Sequence, residues 1–493
     1  MHGAPSFLAF DLGAESGRAL LGSLENERLG LKEVHRFPNV PVRVKDGLHW
    51  DVLRIWHEIR EGLARGVEES AGGIESAGVD SWGVDFGLLD RQGALVSNPC
   101  HHRDARTRGM LERACKLVSK ERIYETTGIQ FMPINTLDQL MAMQGSPLLE
   151  IADTILLIPD LMGYWLTGEI AGELSIATTT QLFDVRARDW ARSLIDDLGL
   201  PVHIFPGVTT PGSELGSLLP GLSKEAGLRS TISVTSVASH DTACAVAAVP
   251  ADQNNFAYIS SGTWSLVGVE VKQPIITELA MRSNFTNEGG FEDTIRFLKN
   301  VMGLWLLQES RRTWARKGAR YTYDELVELA TEAPAFGPLV DPDDEEFLAP
   351  GDMPARLAAF CRGTHQEPAE EPGAVVRCVL ESLALKYRWV IDHVEEVTGR
   401  DIEVIHVVGG GSRNELLCSL TADATRRPVR AGPAEATALG NVMIQAHARG
   451  HLASLADMRE VVRRSVEVRT YEPSDEQDRW AYAYERFCSI LDD

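Results

Sequence analysis

Two apolar runs, each interrupted by a turn of small and hydroxyl residues, lie about half the chain apart. The first covers residues 7–21 with its turn at 13–18, and the second covers 256–267 with its turn around Thr263. An apolar run, a turn rich in Gly and Ser and a second apolar run predict a β-hairpin. Such a turn offers backbone N–H groups and hydroxyls without bulky side chains, which suits a phosphate chain. The repetition predicts two similar domains that close on one nucleotide.

The rest of the chain alternates between patterns typical of strands and of helices. In the first half, strands are predicted at 7–12, 18–24, 31–37, 74–79, 84–89 and 232–237, and helices at 56–69, 106–117, 136–145, 155–167 and 190–196. In the second half, helices are predicted from near Asn300 past Gln308, at 373–397 and from Pro433, with a strand at 402–408 and a long proline-rich loop at 333–354. The polar, turn-forming residues 249–255 predict a boundary between domains 1–248 and 249–493. The pattern indicates an α/β protein.

Size and charge restrict the classes of function. A chain of 493 residues exceeds what one hydrophobic core usually serves. A formal net charge of -23 argues against a nucleic-acid partner, because such binding needs Lys and Arg to neutralise phosphates. A small nucleotide remains compatible, since local amides and a metal ion outweigh a diffuse distant charge. The strong acidity itself is interpreted as a solvated surface.

The cysteines and the apolar runs predict the compartment. Seven cysteines without a CxxC pair favour neither a zinc site nor a disulfide framework, and they fit a reducing cytoplasm. Cys361 and Cys378 could lie close enough to pair, although buried thiols are expected. The first residues lack the pattern of a signal peptide, and no run of about 18 uncharged apolar residues occurs. We therefore expect a soluble, cytoplasmic protein that does not contact a membrane, with its oligomeric state, monomer or homodimer, left open.

The first turn carries candidate phosphate ligands. Arg18 could form charge-assisted hydrogen bonds to a phosphate, and Asp11, at the end of a strand, could hold Mg²⁺ directly or through water. An ordinary tight hairpin would be the preferred interpretation of this turn alone. Its recurrence near residue 260 favours phosphate binding.

Three further motifs carry polar groups beside predicted strands. In residues 80–86, two aspartates flank Trp82 and Gly83, which suits a polyol but equally fits a self-satisfied loop. Asp241, between His240 and Thr242 at a helix start, could be a simple N-cap. Its position just before the domain boundary instead favours a base that takes the proton of a hydroxyl attacking a γ-phosphate.

The three glycines at 409–411 follow a strand and precede a helix, but Asn414 stands where a dinucleotide fingerprint needs another glycine. A backbone platform for a flat ring or a phosphate stays plausible. The P-loop, nucleophile-elbow, HExxH and protein-kinase signatures are absent from the sequence. The pair His101 and His102 lacks further spaced ligands and is interpreted as part of a loop.

Together these residues resemble the FGGY carbohydrate kinases, whose fold consists of two duplicated actin-like ATPase domains of ribonuclease H-like type with a nucleotide and sugar cleft between them. Within the family, the match is nearest to kinases that act on L-rhamnulose. The matching stretches follow one another over nearly the whole chain: 11–14, 16–18, 82–86, 103–104, 128–131, 238–243, 260–265, 286–290, 299–308, 407–411 and 431–437.

The resemblance implies phosphorylation of L-rhamnulose at the C1 hydroxyl by ATP and Mg²⁺, which gives L-rhamnulose 1-phosphate and ADP, with Asp241 as general base. By position in the family motifs, the sugar-binding residues would be Gly83, His240, Asp241, Thr242 and Asn300. The nucleotide-binding residues would be Ala14, Glu15, Ser16, Gly17, Arg18, Thr263, Gln308 and Gly410. Glu15 departs from the small or hydroxyl residue common in the family, so we expect its side chain to point away from the phosphates.

Two alternatives remain at this stage. One is a related ketose kinase for L-fuculose or xylulose, because a pocket built from a few polar contacts can change its epimer preference by one substitution. The other is an actin-like structural or chaperone protein that binds ATP but phosphorylates no sugar, and residues 240–242 with Trp82-Gly83 argue against it because such a protein needs no sugar pocket. A related option, a sugar-binding regulator that kept the fold but lost the base, is disfavoured by the intact Asp241.

Overall fold

The computed structural model describes residues 4–70 and 73–491. Strands in the first half are β1 (Ser6–Leu12), β2 (Ser16–Glu25), β3 (Arg28–Pro38), β4 (Val42–Val44), β5 (Gly47–His49), β6 (Ser76–Ser81), β7 (Phe86–Leu89), β8 (Thr154–Leu157), β9 (Gly172–Glu173), β10 (Phe183–Asp184), β11 (Asp189–Trp190), β12 (Val208–Thr209), β13 (Ser213–Ser217) and β14 (Ser233–Ser236). Helices in this half are α1 (Val52–Glu69), α2 (Met110–Cys115), α3 (Lys120–Thr127), α4 (Thr136–Met143), α5 (Pro147–Glu150), α6 (Ile158–Thr167), α7 (Leu174–Ala177), α8 (Arg192–Asp197), α9 (Pro220–Glu225) and α10 (Asp241–Ala247).

The second half continues with the same two kinds of element. Its strands are β15 (Phe256–Ser261), β16 (Ser265–Val271), β17 (Thr286–Gly289), β18 (Ile295–Val301), β19 (Val404–Val408), β20 (Val429–Ala431) and β21 (Arg469–Tyr471). Its helices are α11 (Glu278–Arg282), α12 (Trp305–Arg316), α13 (Tyr323–Glu332), α14 (Met353–Gly363), α15 (Pro372–Thr398), α16 (Glu415–Thr425), α17 (Ala436–Ala448), α18 (Leu455–Ser465) and α19 (Gln477–Leu491).

The chain forms two compact units that interleave along the sequence. The first unit consists of the chain up to Pro250 together with Glu270–Phe297 and Ala436–Ser465. The second unit consists of Ala251–Val269, Leu298–Glu435 and the chain from Val466 onward. The domain boundary between residues 248 and 249 stays a prediction, because each compact unit is made of several chain segments and no single position separates the two.

Each unit has a sheet built on the same plan. In the first unit the order is β13-β14-β6-β1-β2-β3, where β1 is antiparallel to β2 and parallel to β6, β6 is parallel to β14, and β14 is antiparallel to β13. In the second unit β15 is antiparallel to β16 and parallel to β19, β19 is parallel to β20, and β20 is antiparallel to β21. The repeated hairpin is therefore part of a repeated sheet, which confirms the predicted duplication.

Helix α1 shows how sequence pattern leads to packing in the first unit. Its apolar residues Ile55, Ile59 and Leu63 recur every four positions, so they form one buried face against the sheet core that contains Phe10 and Val79. The Asp51 side chain caps the helix by accepting a hydrogen bond from the Arg54 N–H. In the same sheet β1 pairs in parallel with β6, and the carboxyl ends of these two strands carry the acidic residues of the candidate site.

Several predicted elements differ from the structure for local reasons. The helix predicted at 106–117 is divided by Gly109, whose positive φ of 73° ends a 3₁₀ turn before α2 begins. The apolar run at 155–157 belongs to β8, which pairs with β7, and α6 starts only at Ile158. Short apolar runs do not distinguish a buried strand from a helix, so periodicity alone could not divide this segment.

The second half contains similar differences. Asn300 lies in β18 rather than in a helix, and the helix that carries Gln308 begins at Trp305. The helix predicted from Pro433 starts at Ala436, and the loop predicted at 333–354 includes a 3₁₀ turn at Glu345–Phe347.

The seven cysteines are free thiols, and Cys361 and Cys378 are buried without a disulfide, as expected.

Candidate functional site

The carboxylates Asp11 and Asp80 lie next to each other at the ends of parallel strands in the first unit. Asp11 is in register with Asp80 on β6 and with Arg18 on β2, and Arg18 Nη2 donates a hydrogen bond to Asp11 Oδ2. Asn441 Nδ2 donates to Asp80 Oδ2 at 2.6 Å, whereas Asp80 Oδ1 has no hydrogen-bond partner. Burial and the charge of Asp11 raise the pKa of Asp80 well above its usual range. The pair thus offers carboxylate oxygen beside a fixed cation.

The same two carboxylates are the candidates for holding Mg²⁺. Within residues 4–70 and 73–491, no group of three or more His, Cys, Asp or Glu side chains is placed to hold a metal ion. Mg²⁺ bound with a nucleotide usually needs only one or two protein carboxylates, because phosphates and waters complete its coordination. The buried, unpartnered Asp80 Oδ1 beside Asp11 fits that kind of site. The assignment of Asp11 to the metal stays a prediction.

The turn between β1 and β2 is held by a residue that the sequence interpretation missed. Asn39 N–H donates to the Glu15 carbonyl at 2.9 Å, and Asn39 Nδ2 donates to the Gly13 carbonyl at 3.0 Å. These two bonds hold carbonyl oxygens of the turn towards buried Asn39. Because the carbonyl oxygens of Gly13 and Glu15 are bonded to Asn39, they are directed away from a phosphate chain that would bind the backbone N–H groups of the turn.

Glycine at position 17 has a structural reason of its own. A Cβ atom there would lie 2.2 Å from the Phe37 ring on β3. Gly17 therefore permits close packing of the two strands, whether or not its N–H also contacts a nucleotide. Ala14 lies in the turn before β2 and Ser16 is the first residue of β2, and both are half-buried.

Glu15 is the exposed residue of this turn, so replacing it tests the prediction that its side chain points away from the phosphates of a nucleotide. We expect Glu15→Ala to change the KM for ATP by less than about threefold, because an exposed side chain contributes little and the backbone stays in place. Initial rates at varied ATP concentrations would measure this. A large gain in ATP affinity would show instead that the carboxylate faces the phosphates.

Asp241 is the first residue of α10, and its surroundings differ from those of an N-cap. His240 occupies the N-cap position without a side-chain capping bond, so the simple capping interpretation of Asp241 is wrong. Asp241 Oδ1 accepts hydrogen bonds from Thr242 N–H at 2.5 Å and from Thr242 Oγ1 at 3.1 Å. The Asp241 side chain retains 30% of its exposure. Its carboxylate is therefore oriented yet accessible to a ligand.

The electrostatics around Asp241 suit a base. Burial raises the pKa of the Asp241 carboxyl, His240 lowers that pKa, and the negative charge of Asp11 raises it. The net shift is upward. A carboxylate with a raised pKa is a better proton acceptor than an ordinary surface aspartate, provided it remains ionised at the working pH.

The segment before α10 is fixed by a buried carboxylate. Glu173 accepts a hydrogen bond from the Ser239 N–H at 3.0 Å, and Ser175 Oγ accepts one from the His240 N–H at 3.2 Å. The Ser81 N–H donates to the Ser239 carbonyl at 2.8 Å, which ties this segment to the end of β6. These bonds hold Ser239 and His240, the two residues immediately before α10.

Two charged side chains, Arg296 and Glu288, lie at the Nδ1 side of the His240 ring. Arg296 Nη2 lies 3.1 Å from His240 Nδ1, and Arg296 Nη1 lies 3.1 Å from Glu288 Oε2. Glu288 Oε2 is also 3.2 Å from His240 Nδ1, and His240 Nε2 is 3.5 Å from Asp241 Oδ1. Arg296 is completely buried and Glu288 nearly so. The sequence interpretation assigned no role to either residue.

The loop after β6 contains a closely packed glycine, Gly83, and a buried aspartate, Asp85, that is bonded to protein side chains. A Cβ at Gly83 would crowd Thr179, with its nearest atoms at 3.1 Å. Asp85 accepts hydrogen bonds from four side chains: Trp50 Nε1, Trp82 Nε1, His102 Nδ1 and Gln139 Nε2. Burial would raise the pKa of Asp85, but His102 and the other donors outweigh it and lower the pKa to about 2. Asp85 is therefore engaged by protein donors rather than kept for a sugar hydroxyl, and His102 serves this network.

In the second unit, Thr263 and Gln308, which are both predicted to bind the nucleotide, lie on neighbouring elements. The Thr263 carbonyl accepts a hydrogen bond from the Trp305 N–H at 3.1 Å, so the hairpin turn adjoins the start of α12. Gln308 follows on the first turn of that helix, and its Oε1 atom is buried without a hydrogen-bond partner. An unpartnered buried acceptor beside this turn fits a donor such as an amino or hydroxyl group of a nucleotide.

The glycine turn at 409–411 lies against the same hairpin. A Cβ at Gly411 would be 2.0 Å from Ser261 Oγ, whereas a Cβ at Gly410 would meet nothing within 4 Å. Gly411 is therefore required for packing, and Gly410 faces open space. Asn300, the remaining predicted sugar ligand, lies on β18.

These two glycines provide a matched pair of variants. We expect Gly411→Ala to lower the free energy of unfolding by about 1–3 kcal/mol, because its Cβ collides with Ser261. Gly410→Ala should leave that free energy nearly unchanged but raise the KM for ATP several-fold, because the added methyl occupies the open side. Thermal unfolding and ATP saturation curves would separate the two effects. Equal KM values for Gly410→Ala and wild type would remove Gly410 from the nucleotide site.

Comparisons with protein families match both halves of the chain. Residues 6–248 match the N-terminal domain, and residues 257–449 the C-terminal domain, of the FGGY family of carbohydrate kinases. The chain belongs to this family. It is a sugar kinase, a phosphotransferase, and the resemblance stated from its motifs is confirmed.

Individual relatives agree with the family assignment. A rhamnulokinase of Bacteroides thetaiotaomicron is 44% identical over 99% of this chain and 99% of its own, and one of Oceanobacillus iheyensis is 41% identical over 94% and 97%. The structure of a gluconate kinase from Lactobacillus acidophilus superposes with a TM-score of 0.82 at 16% identity, over 99% of this chain and 98% of its own. That likeness confirms the two-domain fold of the family.

None of the helices in the described segments is both long enough and apolar enough to cross a membrane. The cytoplasmic location stays a prediction.

Proposed function

We propose that this sugar kinase transfers the γ-phosphoryl group of ATP to the C1 hydroxyl of L-rhamnulose, giving L-rhamnulose 1-phosphate and ADP. The observation that carries the proposal is the 44% identity, over 99% of both chains, to a protein named rhamnulokinase. The geometry around Asp241 supports the reaction type, because an oriented, accessible carboxylate with a raised pKa lies beside the neighbouring carboxylates of the first unit.

Asp241 acts as the general base in this proposal. Its carboxylate accepts the hydroxyl proton as the sugar oxygen attacks, and Thr242 keeps Oδ1 in place. His240, Thr242, Gly83 and Asn300 are assigned to sugar binding. Phosphoryl transfer requires mainly positioning and charge stabilisation, which is what these fixed polar groups supply.

The nucleotide is assigned to the two hairpin turns and the elements beside them. In the first unit, residues Ala14 to Arg18 would bind phosphates, with Arg18 contributing positive charge. In the second unit, Thr263, Gln308 and Gly410 would contact the rest of the nucleotide. Asp11, together with Asp80, would hold Mg²⁺, and that ion would neutralise phosphate charge when bound.

The test is ADP release by wild-type protein with ATP, Mg²⁺ and a panel of ketoses that includes L-rhamnulose, L-fuculose and xylulose. We expect the highest kcat/KM with L-rhamnulose and a product phosphorylated at C1, identified by NMR of the purified ester. A higher kcat/KM for another ketose would replace the substrate while keeping the reaction class. No stimulation by any sugar would contradict the catalytic proposal altogether.

A further inference from the structure

Arg296 contacts one of the two ring nitrogens of His240, the Nδ1 atom. Arginine donates hydrogen bonds and cannot accept them. Arg296 Nη2 forms a hydrogen bond with His240 Nδ1 at 3.1 Å, so this contact requires a lone pair on Nδ1. In a neutral imidazole the hydrogen then resides on Nε2. Nε2 is the nitrogen on the side of Asp241 Oδ1, 3.5 Å away.

The position of Arg296 is itself fixed by two further contacts. Its Nε donates to the Gly289 carbonyl at 2.8 Å, and its Nη1 pairs with Glu288 Oε2 at 3.1 Å. The side chain is completely buried and its counter-charge, Glu288, is 4% exposed, so the pair forms a rigid ionic support rather than a surface salt bridge. The planar fork of arginine can contact Glu288 and His240 simultaneously, which a lysine ammonium on a flexible stem does not reproduce.

We propose that Arg296 is a positioning residue that fixes His240 in the tautomer with hydrogen on Nε2, so that the ring donates towards Asp241 and the bound hydroxyl. Glu288 supplies the charge that keeps Arg296 in place. The inference rests on the proposed role of Asp241 as the base. A donor on this side stabilises the ionised carboxylate, because a hydrogen bond to the charged form favours that form.

Other charged groups act on the same carboxylate. Asp11 on β1 and Asp80 on β6 interact with Asp241 as like charges, and Arg18 offsets Asp11. Cys244, one turn further along α10, also lies within electrostatic range. Against these acidic neighbours, the Nε2 donor of His240 favours ionisation of Asp241.

The first experiment needs no sugar. ¹⁵N NMR of histidine-labelled wild-type protein, with the His240 signals assigned from His240→Gln, reports which ring nitrogens are protonated. We expect a protonated Nε2 and an unprotonated Nδ1 near neutral pH. A protonated Nδ1, donating to Glu288 at 3.2 Å, would overturn the proposal whatever the enzyme's substrate.

The second experiment measures the effect on catalysis. Arg296→Lys keeps the charge but loses the fork, and we expect kcat/KM to fall about 10- to 100-fold, with the acid limb of its pH profile moved to higher pH. Arg377→Lys is the matched control, because it shortens another largely buried arginine paired with a glutamate, Glu381, on α15. Its kcat/KM and acid limb should equal those of wild type.

A double-mutant cycle tests whether Arg296 acts through His240. The amide of Gln at position 240 reaches about as far as Nε2 and donates without depending on a tautomer. Arg296→Lys should therefore have little further effect on kcat/KM in the His240→Gln background. An equal loss in both backgrounds would overturn the proposal and leave Arg296 a merely structural residue. If Arg296→Lys fails to fold, the wild-type NMR result decides the question alone.

Discussion

Replacing Asp241 with Asn should lower kcat by about 10²- to 10⁴-fold, the range over which a general base contributes. Asn has nearly the same size, and its Oδ1 can still accept the two hydrogen bonds from Thr242. The variant also removes a negative charge that interacts with Asp11 and Asp80. We therefore expect an intact fold and a KM for the sugar that changes much less than kcat. Sugar-dependent ADP release, with circular dichroism and thermal unfolding on the same samples, would measure this.

Asp51→Asn is a suitable control for Asp241→Asn. Asp51 also stands at a helix start and bonds to backbone N–H, but it belongs to α1 and has no proposed part in catalysis. Its kcat should match that of wild type.

The kcat/KM of wild type should also show an acid limb above the ordinary aspartate pKa of 3.8, because the pKa of Asp241 is raised and the protonated form cannot act as base. Full activity in Asp241→Asn would exclude Asp241 as the base.

The sequence was most informative where structure and chemistry are local. Both hairpins were predicted because a strand, turn and strand lie within about fifteen residues and each has its own turn chemistry. Each turn is also held by a neighbouring residue, because Asn39 bonds to the first turn and Trp305 bonds to the second. The α/β architecture followed from the same periodicities. The family resemblance added the substrate class, which no periodicity could have given.

The contacts that support the site could not be predicted from local sequence pattern. Arg296 is 56 positions from His240, and in sequence it is one polar residue on a strand that could equally have faced solvent. Asn39 follows the end of β3 and gives no motif. From sequence, Asp85 fits a role in sugar binding, but the structure places four donor side chains around it, and three of these donors lie 17, 35 and 54 positions away. Such roles depend on tertiary burial, which converts an ordinary polar residue into one that must be paired.

Gly440→Ala should cause the largest loss of stability among the glycine substitutions considered. Gly440 lies in α17 where this helix crosses α10, and a Cβ there would be 1.8 Å from the Cys244 carbonyl oxygen and 2.5 Å from its carbon. Both obstacles are backbone atoms of α10, so no side-chain rotation can relieve the collision. We expect the free energy of unfolding to fall by about 3 kcal/mol or more. Chemical denaturation monitored by circular dichroism would measure it.

The same substitution should also affect catalysis, because α10 begins at Asp241 and α17 carries Asn441, which donates to Asp80. Separating the two helices would displace both carboxylates relative to each other, and a misplacement of about 1 Å can cost about 10²-fold in rate. Gly363→Ala is the control, since Gly363 ends helix α14 and a Cβ there would meet nothing within 4 Å. That variant should match wild type in both unfolding free energy and kcat/KM. Wild-type stability in Gly440→Ala would mean that α10 and α17 can move apart without cost, and the close contact between them would then not be what places Asp241.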